Sequence, residues 1–127
     1  MAQKILVVDD SPTVVKFVSF SLKNKGFDVI TACDGMEAVE KLSNTSDEID
    51  LIITDLNMPN LDGYGLIDTL RQNDKHKQTP IIVLTSEEGE EDRQKGSDVG
   101  ASSYLVKPFR SGLLLEEVLK YLEIEEE

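Results

Sequence analysis

The chain has 127 residues, about one domain's worth, enough to bury a single core but not two. Thirteen basic against 25 acidic side chains give a formal net charge of −12, and a surface that acidic repels a phosphate backbone, so direct nucleic-acid binding is not expected. One cysteine (Cys33) and one histidine (His76) exclude an internal disulfide and a Cys/His zinc cluster, so any metal here must be held by oxygen.

The start, Met1-Ala2-Gln3-Lys4 before Ile5 to Val8, is too short an apolar stretch for a secretory signal, and no run is long enough to span a bilayer. A cytoplasmic location without membrane contact is therefore expected. Ile5 to Val8 reads as the first strand, being apolar at successive positions and not at alternate ones. Ser11-Pro12 looks like an N-cap and first-turn proline, with Val14, Val15, Val18 and Leu22 at helical spacing until Gly26 ends the first helix. Phe27 to Thr31 reads as strand two, and Met36, Val39 and Leu42 mark helix two. Leu51 to Thr54 is strand three, and Leu66, Ile67 and Leu70 mark helix three. His76, in the polar run Asp74-Lys75-His76-Lys77-Gln78, reads as a loop residue before strand four, Ile81 to Thr85.

From Glu87 to Gly100 a fourth helix would be marginal, with two internal glycines, six acidic side chains and little apolar periodicity. Tyr104 to Val106 is a weaker fifth strand, and Leu114, Leu115, Val118, Leu119 and Leu122 mark a fifth helix. One domain over residues 1–127 is expected, with a core over about 3–123 and an acidic tail at 124–127. Strands alternating with helices predict a doubly wound α/β three-layer sandwich around a five-stranded parallel sheet, in the flavodoxin-like order 2-1-3-4-5. Ligands in such folds bind beyond the carboxyl ends of the strands.

Those ends carry reactive groups. Strand one ends at Asp9-Asp10, strand three at Asp55, strand four at Thr85-Ser86 and strand five at Lys107-Pro108. Singly, each has a plain reading: Asp10 or Thr85 as a helix cap, Asp55 as a turn residue, Lys107 as a solvated lysine. Jointly, right-handed crossovers bring three carboxylates, a hydroxyl and an ammonium into one crevice. Crowded carboxylates raise one another's pKa unless a cation sits among them, and an all-oxygen set favours Mg²⁺, with Mn²⁺ as a substitute. An aspartate can carry a phosphoryl group as an acyl phosphate, and Asp55 is best placed to do so. The cation would then hold one transferred oxygen, Lys107 another, and the Thr85 hydroxyl or a backbone N–H the third.

Lys4 to Asp10, Asp55-Leu56-Asn57-Met58-Pro59 with Asp62-Gly63, Pro80 to Ser86, Gly100-Ala101, and Tyr104 to Phe109 together resemble the signatures of the response-regulator receiver family. The resemblance covers essentially the whole chain and suggests a CheY-like single-domain regulator of two-component signalling. It implies that Asp55 accepts a phosphoryl group from the phosphohistidine of a histidine kinase or phosphotransfer protein. It further implies that Asp10, Asp55 and the backbone carbonyl of Asn57 bind Mg²⁺ directly, and that Asp9 acts largely through water. Lys107 would contact the phosphoryl group, and Thr85 and Tyr104 would act as switch residues altering the face built by the fourth helix, fifth strand and fifth helix. The Lys107-Pro108 peptide is expected to be cis.

Asn57 and Glu87, two positions beyond the acceptor and Thr85, resemble the pair of fast-cycling chemotaxis regulators and imply a phosphoryl lifetime nearer seconds to minutes than hours. The acidic, glycine-containing fourth helix departs from the usual mixed basic and apolar partner face; its ordering on phosphorylation is expected to be part of the output. A monomer with a separate downstream protein target is expected, as is no enzymatic turnover beyond the chain's own phosphorylation and dephosphorylation. The alternative is a small Mg²⁺-dependent phosphohydrolase using Asp55 as nucleophile. Asn57 stands where such an enzyme has its second acid, which leaves no obvious general acid. A flavin site of the same fold is disfavoured because Asp9-Asp10 would repel its phosphate. A degenerate scaffold receiver is disfavoured because the site residues are all present.

Overall fold

A computed structural model describes residues 3–45, 48–56, 58, 60–85 and 100–122. The helix expected over 87–100, the acidic tail, and the residues Asn57, Ser86 and Glu87 lie outside the described residues.

The elements run β1 (Lys4–Val8), α1 (Pro12–Lys23), β2 (Asp28–Ala32), α2 (Gly35–Asn44), β3 (Leu51–Asp55), α3 (Gly63–Arg71), β4 (Ile81–Thr85), β5 (Ser103–Val106) and α4 (Ser111–Leu119). The strands form one parallel sheet in the order β2-β1-β3-β4-β5, the expected doubly wound arrangement. α4 is the predicted fifth helix. β2 starts and stops one residue later than its apolar run suggested, because Asp28 pairs with Lys4 in the ladder while Phe27 buries its ring just before it.

The three central strands are buried along nearly their whole length, which is why their sequences are uninterrupted apolar runs. Alternate residues feed two cores. Leu6, Val8, Ile52, Ile81 and Val83 meet Ala38, Leu42, Leu66, Ile67 and Leu70 of α2 and α3. On the other face Ile5, Val7, Ile53, Ile82 and Leu84 meet Val18 and Leu22 of α1 and Leu114 and Val118 of α4. At about 25 cal/mol per Å², fully burying one such Leu or Ile contributes about 2 kcal/mol, so the two cores, not the caps, hold the sheet flat against its helices.

The helix ends carry the local signals that set them. Ser11 Oγ accepts from the Val14 N–H at 3.4 Å with Pro12 opening α1, and Asp34 and Asp62 cap α2 and α3 in the same way. Asn24 closes α1, and Gly26 follows it at φ 94°, in the left-handed region open to glycine. Two apolar markers from the sequence prove exposed. Met36 (57% exposed) sits in the first turn of α2, off the buried stripe of Gly35, Ala38 and Leu42. Leu119 (42%) ends α4 on its outer side, and Leu122 beyond the helix packs inward instead. His76 lies in the α3–β4 loop as read, yet it is only 3% exposed, lining a cleft between α2 and α3 with Val39, Leu42 and Leu70.

Candidate functional site

β1 and β3 are neighbours in the sheet, with Val8 opposite Thr54, so both strands deliver the residues that follow them to the same edge. Asp9, Asp10 and Asp55 meet there, each offering one carboxylate oxygen, all within 4.8 Å of one another. Asp9 and Asp55 are buried at 1% and 7% exposure, and Asp10 is open to solvent.

Asp9 is held at both oxygens. Oδ1 accepts from the Ser11 N–H at 2.9 Å, which sets the first turn of α1, and Oδ2 accepts from Lys107 Nζ at 2.9 Å. Asp55 Oδ1 accepts from the Leu56 N–H at 2.8 Å, and its Oδ2 lies 3.5 Å from Lys107 Nζ. Lys107 follows β5, and its own N–H donates to the Thr85 carbonyl at 2.7 Å, tying the edge strand to the end of β4. The Lys107-Pro108 peptide is cis.

The charges do not balance: three carboxylates face one ammonium. Burial, and then the negative charge of Asp9, push the Asp55 carboxyl above the usual aspartate range, although Lys107 and the Leu56 N–H pull the other way. For Lys107 burial is the largest influence and acts downward. It is outweighed by the hydrogen bond to Asp9 and the charges of Asp55 and Asp9, so the ammonium is held above its ordinary value and stays charged. An all-oxygen donor set with negative charge left over fits a hard divalent cation, which would take the place of the missing positive charge.

Thr85, buried at 1% exposure, ends β4 one residue past Leu84, the register partner of Asp55. Tyr104 is half-buried on β5 opposite Val83 and packs against the α2–α3 side of the core. Thr85 lies two residues beyond Val83, so its hydroxyl and the Tyr104 ring leave the sheet on the same face. Of the residues singled out from the sequence, Asp9, Asp10, Asp55 and Lys107 thus come together, Thr85 adjoins them, and Tyr104 stands along the sheet from Thr85.

Two residues near this site take roles that the sequence reading does not give them, Gly63 appearing there only within a family signature and Asp34 not at all. Gly63, the first residue of α3, leaves no room for a side chain against the Asp55 carbonyl and the Leu56 backbone, and its N–H donates to the Leu56 carbonyl at 2.9 Å. Asp34 joins the β2–α2 corner to Asn60 through a 2.8 Å hydrogen bond. An Asp-Gly pair before an apolar helical pattern marks both corners in the sequence, but it signals a capped turn and gives no hint of a neighbour.

Comparison with known proteins bears on the family. The profile of the response regulator receiver domain matches residues 5–119. The chain is 43% identical over 112 residues to protein PilG of Pseudomonas aeruginosa, covering 88% of this chain and 82% of PilG. It resembles the chemotaxis response regulator CheY4 of Vibrio cholerae with a TM-score of 0.90 at 39% identity, over 96% of this chain and 100% of that one. The receiver domain of the sensor histidine kinase PA1611 of Pseudomonas aeruginosa, solved with a magnesium ion coordinated in its active site cleft, is similar at a TM-score of 0.86 and 30% identity, over 95% of this chain and 98% of that one. With the parallel sheet in the order 2-1-3-4-5 and the acidic crevice at its carboxyl edge, these matches establish that the chain belongs to the response regulator receiver domain family.

Proposed function

We propose that this receiver domain takes a phosphoryl group onto Asp55 from the phosphohistidine of a histidine kinase or phosphotransfer protein. The observation that carries the reading is the convergence of Asp9, Asp10 and Asp55 within 4.8 Å, facing Lys107. Asp10, Asp55 and the backbone carbonyl of Asn57 would hold Mg²⁺, with Asp9 contributing through water. When bound, the cation supplies the positive charge that neutralises an incoming phosphoryl oxygen. Mn²⁺ has the same hard, oxygen-seeking character and serves in its place.

The Asp55 carboxylate attacks phosphorus, an O–P bond forms, and the P–N bond to the donor imidazole breaks with its electron pair returning to nitrogen. Asp55 Oδ2, 3.5 Å from Lys107, is the oxygen nearer the ammonium; Oδ1 is already turned to the Leu56 N–H. Lys107 then shifts its charge from the carboxylates toward the phosphoryl oxygens. Thr85, at the end of the neighbouring strand, supplies a hydroxyl to another of them, and Tyr104, on the same face, turns inward in response. The surface of the 87–100 segment, β5 and α4 thereby reports the phosphorylation. Asn57 and Glu87 tune the rate at which water removes the group.

The similarity to CheY4, a chemotaxis response regulator, supports a chemotaxis-type pathway in the cytoplasm for this chain. Among the described residues no helix is long and apolar enough to cross a membrane. Intact-mass measurement after incubation with Mg²⁺ and acetyl phosphate tests the reading. One phosphoryl adduct is expected on the wild type and none on Asp55→Asn; an adduct that persists in Asp55→Asn overturns the assignment of the acceptor.

A further inference from the structure

The connection from β3 to α3 is pinned at its base and again at its tip. The base is the close approach of Gly63 to Asp55 and Leu56. At the tip, Asn60 adopts φ 68°, a left-handed conformation that asparagine tolerates better than most residues, and its Nδ2 donates to Asp34 Oδ2 at 2.8 Å. The next residue, Leu61, accepts at its carbonyl from the Gly35 N–H at 3.1 Å, and Gly35 has no room for a Cβ against that carbonyl. The second oxygen of Asp34, Oδ1, accepts from the Glu37 N–H at 2.8 Å and caps α2. One carboxylate therefore spans a helix end and a loop tip. The Glu37 backbone N–H and the Asn60 amide hold it below the usual aspartate range, so it stays ionised.

Nothing in phosphoryl transfer itself uses Asp34, which stands outside the acidic cluster. Yet the loop it grips runs from Asp55 to Asp62, and on the reading of Asp55 as a Mg²⁺-assisted acceptor that loop also contributes the Asn57 carbonyl. The affinity of a cation site built partly from a loop depends on how far the loop is ordered before the cation arrives. We infer that Asp34 is a positioning residue for the phosphorylation crevice: by bonding Asn60 it holds Asn60 and Leu61 against the start of α2 and so pre-organises the cation-binding oxygens. The inference rests on the proposed function.

The test is a Mg²⁺ titration of the full chain, followed by amide NMR shifts of residues in the crevice, with thermal melts and acetyl-phosphate labelling run in parallel. In Asp34→Ser the hydroxyl still caps α2, since serine is as good a cap as aspartate, but it is too short to reach Asn60. Asn60→Gly keeps the left-handed backbone and deletes the amide. Each is expected to weaken Mg²⁺ binding and slow labelling about threefold to tenfold, the range for one lost hydrogen bond, with a melting temperature close to wild type. The exchange Asp34→Asn with Asn60→Asp restores affinity, because the amide at 34 can donate to the carboxylate at 60 while its carbonyl oxygen caps the helix. Wild-type affinity in both single variants overturns the inference alone, provided the wild type binds Mg²⁺ and takes the phosphoryl group. A loss that follows the melting temperature and is not rescued by the exchange also overturns it, assigning Asp34 to stability only. A wild type that neither binds Mg²⁺ nor labels on Asp55 overturns the proposed function and this inference together.

Discussion

At the carboxyl edge of the sheet three carboxylates gather beside one ammonium, whereas at the amino edge of β4 and β5 a half-buried cation is matched to backbone carbonyls, with no carboxylate partner among the described residues. There the Arg71 guanidinium donates through Nε to the Gly100 carbonyl at 3.0 Å, and through one terminal nitrogen to the His76 carbonyl at 2.9 Å and the Thr79 carbonyl at 2.7 Å. Burial lowers its pKa, but a guanidinium stays charged in proteins. The carbonyls come from the α3–β4 loop and from the approach to β5, so one side chain staples two stretches of backbone to α3 through three carbonyls. The contrast separates two uses of buried charge. A charge whose partners are complete is structure, and a set left with surplus charge is arranged for something that arrives later.

Arg71→Ala presses hardest on the structural half of the comparison. Removing the guanidinium takes a donor from three carbonyls, of which the His76 carbonyl keeps the Thr79 N–H at 3.1 Å, and a loss of about 2 kcal/mol in a urea denaturation is expected, with no rescue by lysine, whose ammonium cannot reproduce the planar fork. Phosphorylation of the fraction that remains folded should be unchanged. An equal loss in Asp55→Asn would erase the distinction between the two ends.

The carboxyl edge should behave in the opposite sense. Asp55 has a raised pKa in the cation-free protein, so its contribution favours folding below its ordinary value of 3.8 and is lost as pH rises through the folded value. At neutral pH, therefore, Asp55→Asn should melt higher than wild type in chelator, even though on the proposed function it takes no phosphoryl group. Adding Mg²⁺ at ten times its dissociation constant should stabilise the wild type by about 1.4 kcal/mol and Asp55→Asn by less. Melts with and without Mg²⁺ check both statements.

The smallest effect belongs to His76, beside the Arg71 staple. Burial, and then the charge of Lys75, hold its imidazole below the ordinary 6.5, and its Nδ1 has no hydrogen-bond partner among the described residues. The unfolded chain binds the proton more readily. Stability from this residue is therefore full above pH 6.5 and declines as pH falls toward the folded value, with a slope of at most about 1.4 kcal/mol per pH unit. His76→Gln should flatten that segment of the stability curve; an unchanged slope would remove His76 from the account.

Much of the fold could be read from the residues, for a reason specific to the fold. β1, β3 and β4 are covered on both faces, so they appear as unbroken apolar runs, and the residue after each run is a strand end by construction. Asp9, Asp10, Asp55, Thr85 and Lys107 were found from that rule because their position along the chain and their position in space are the same fact. His76 was not, because its burial comes from α2 packing over a loop whose own residues are polar, and no local pattern carries that contact. The bond between Asp34 and Asn60 was missed for a like cause. Each residue has a sufficient local role, one as a cap and the other in a turn, and the pairing across 26 positions appears only when β2 and β3 are laid on either side of β1.

The order of the strands has one last consequence. Asp55 ends the central strand β3 and Asp9 and Asp10 follow β1 beside it, while Lys107 follows β5, an edge strand that pairs with β4 alone among the described residues. The counterion therefore reaches inward past β4 to Asp55 and past β3 as well to Asp9, and it remains in place only while that margin of the sheet is seated. Whatever grips or frees that margin alters the electrostatic potential at Asp55 without touching it.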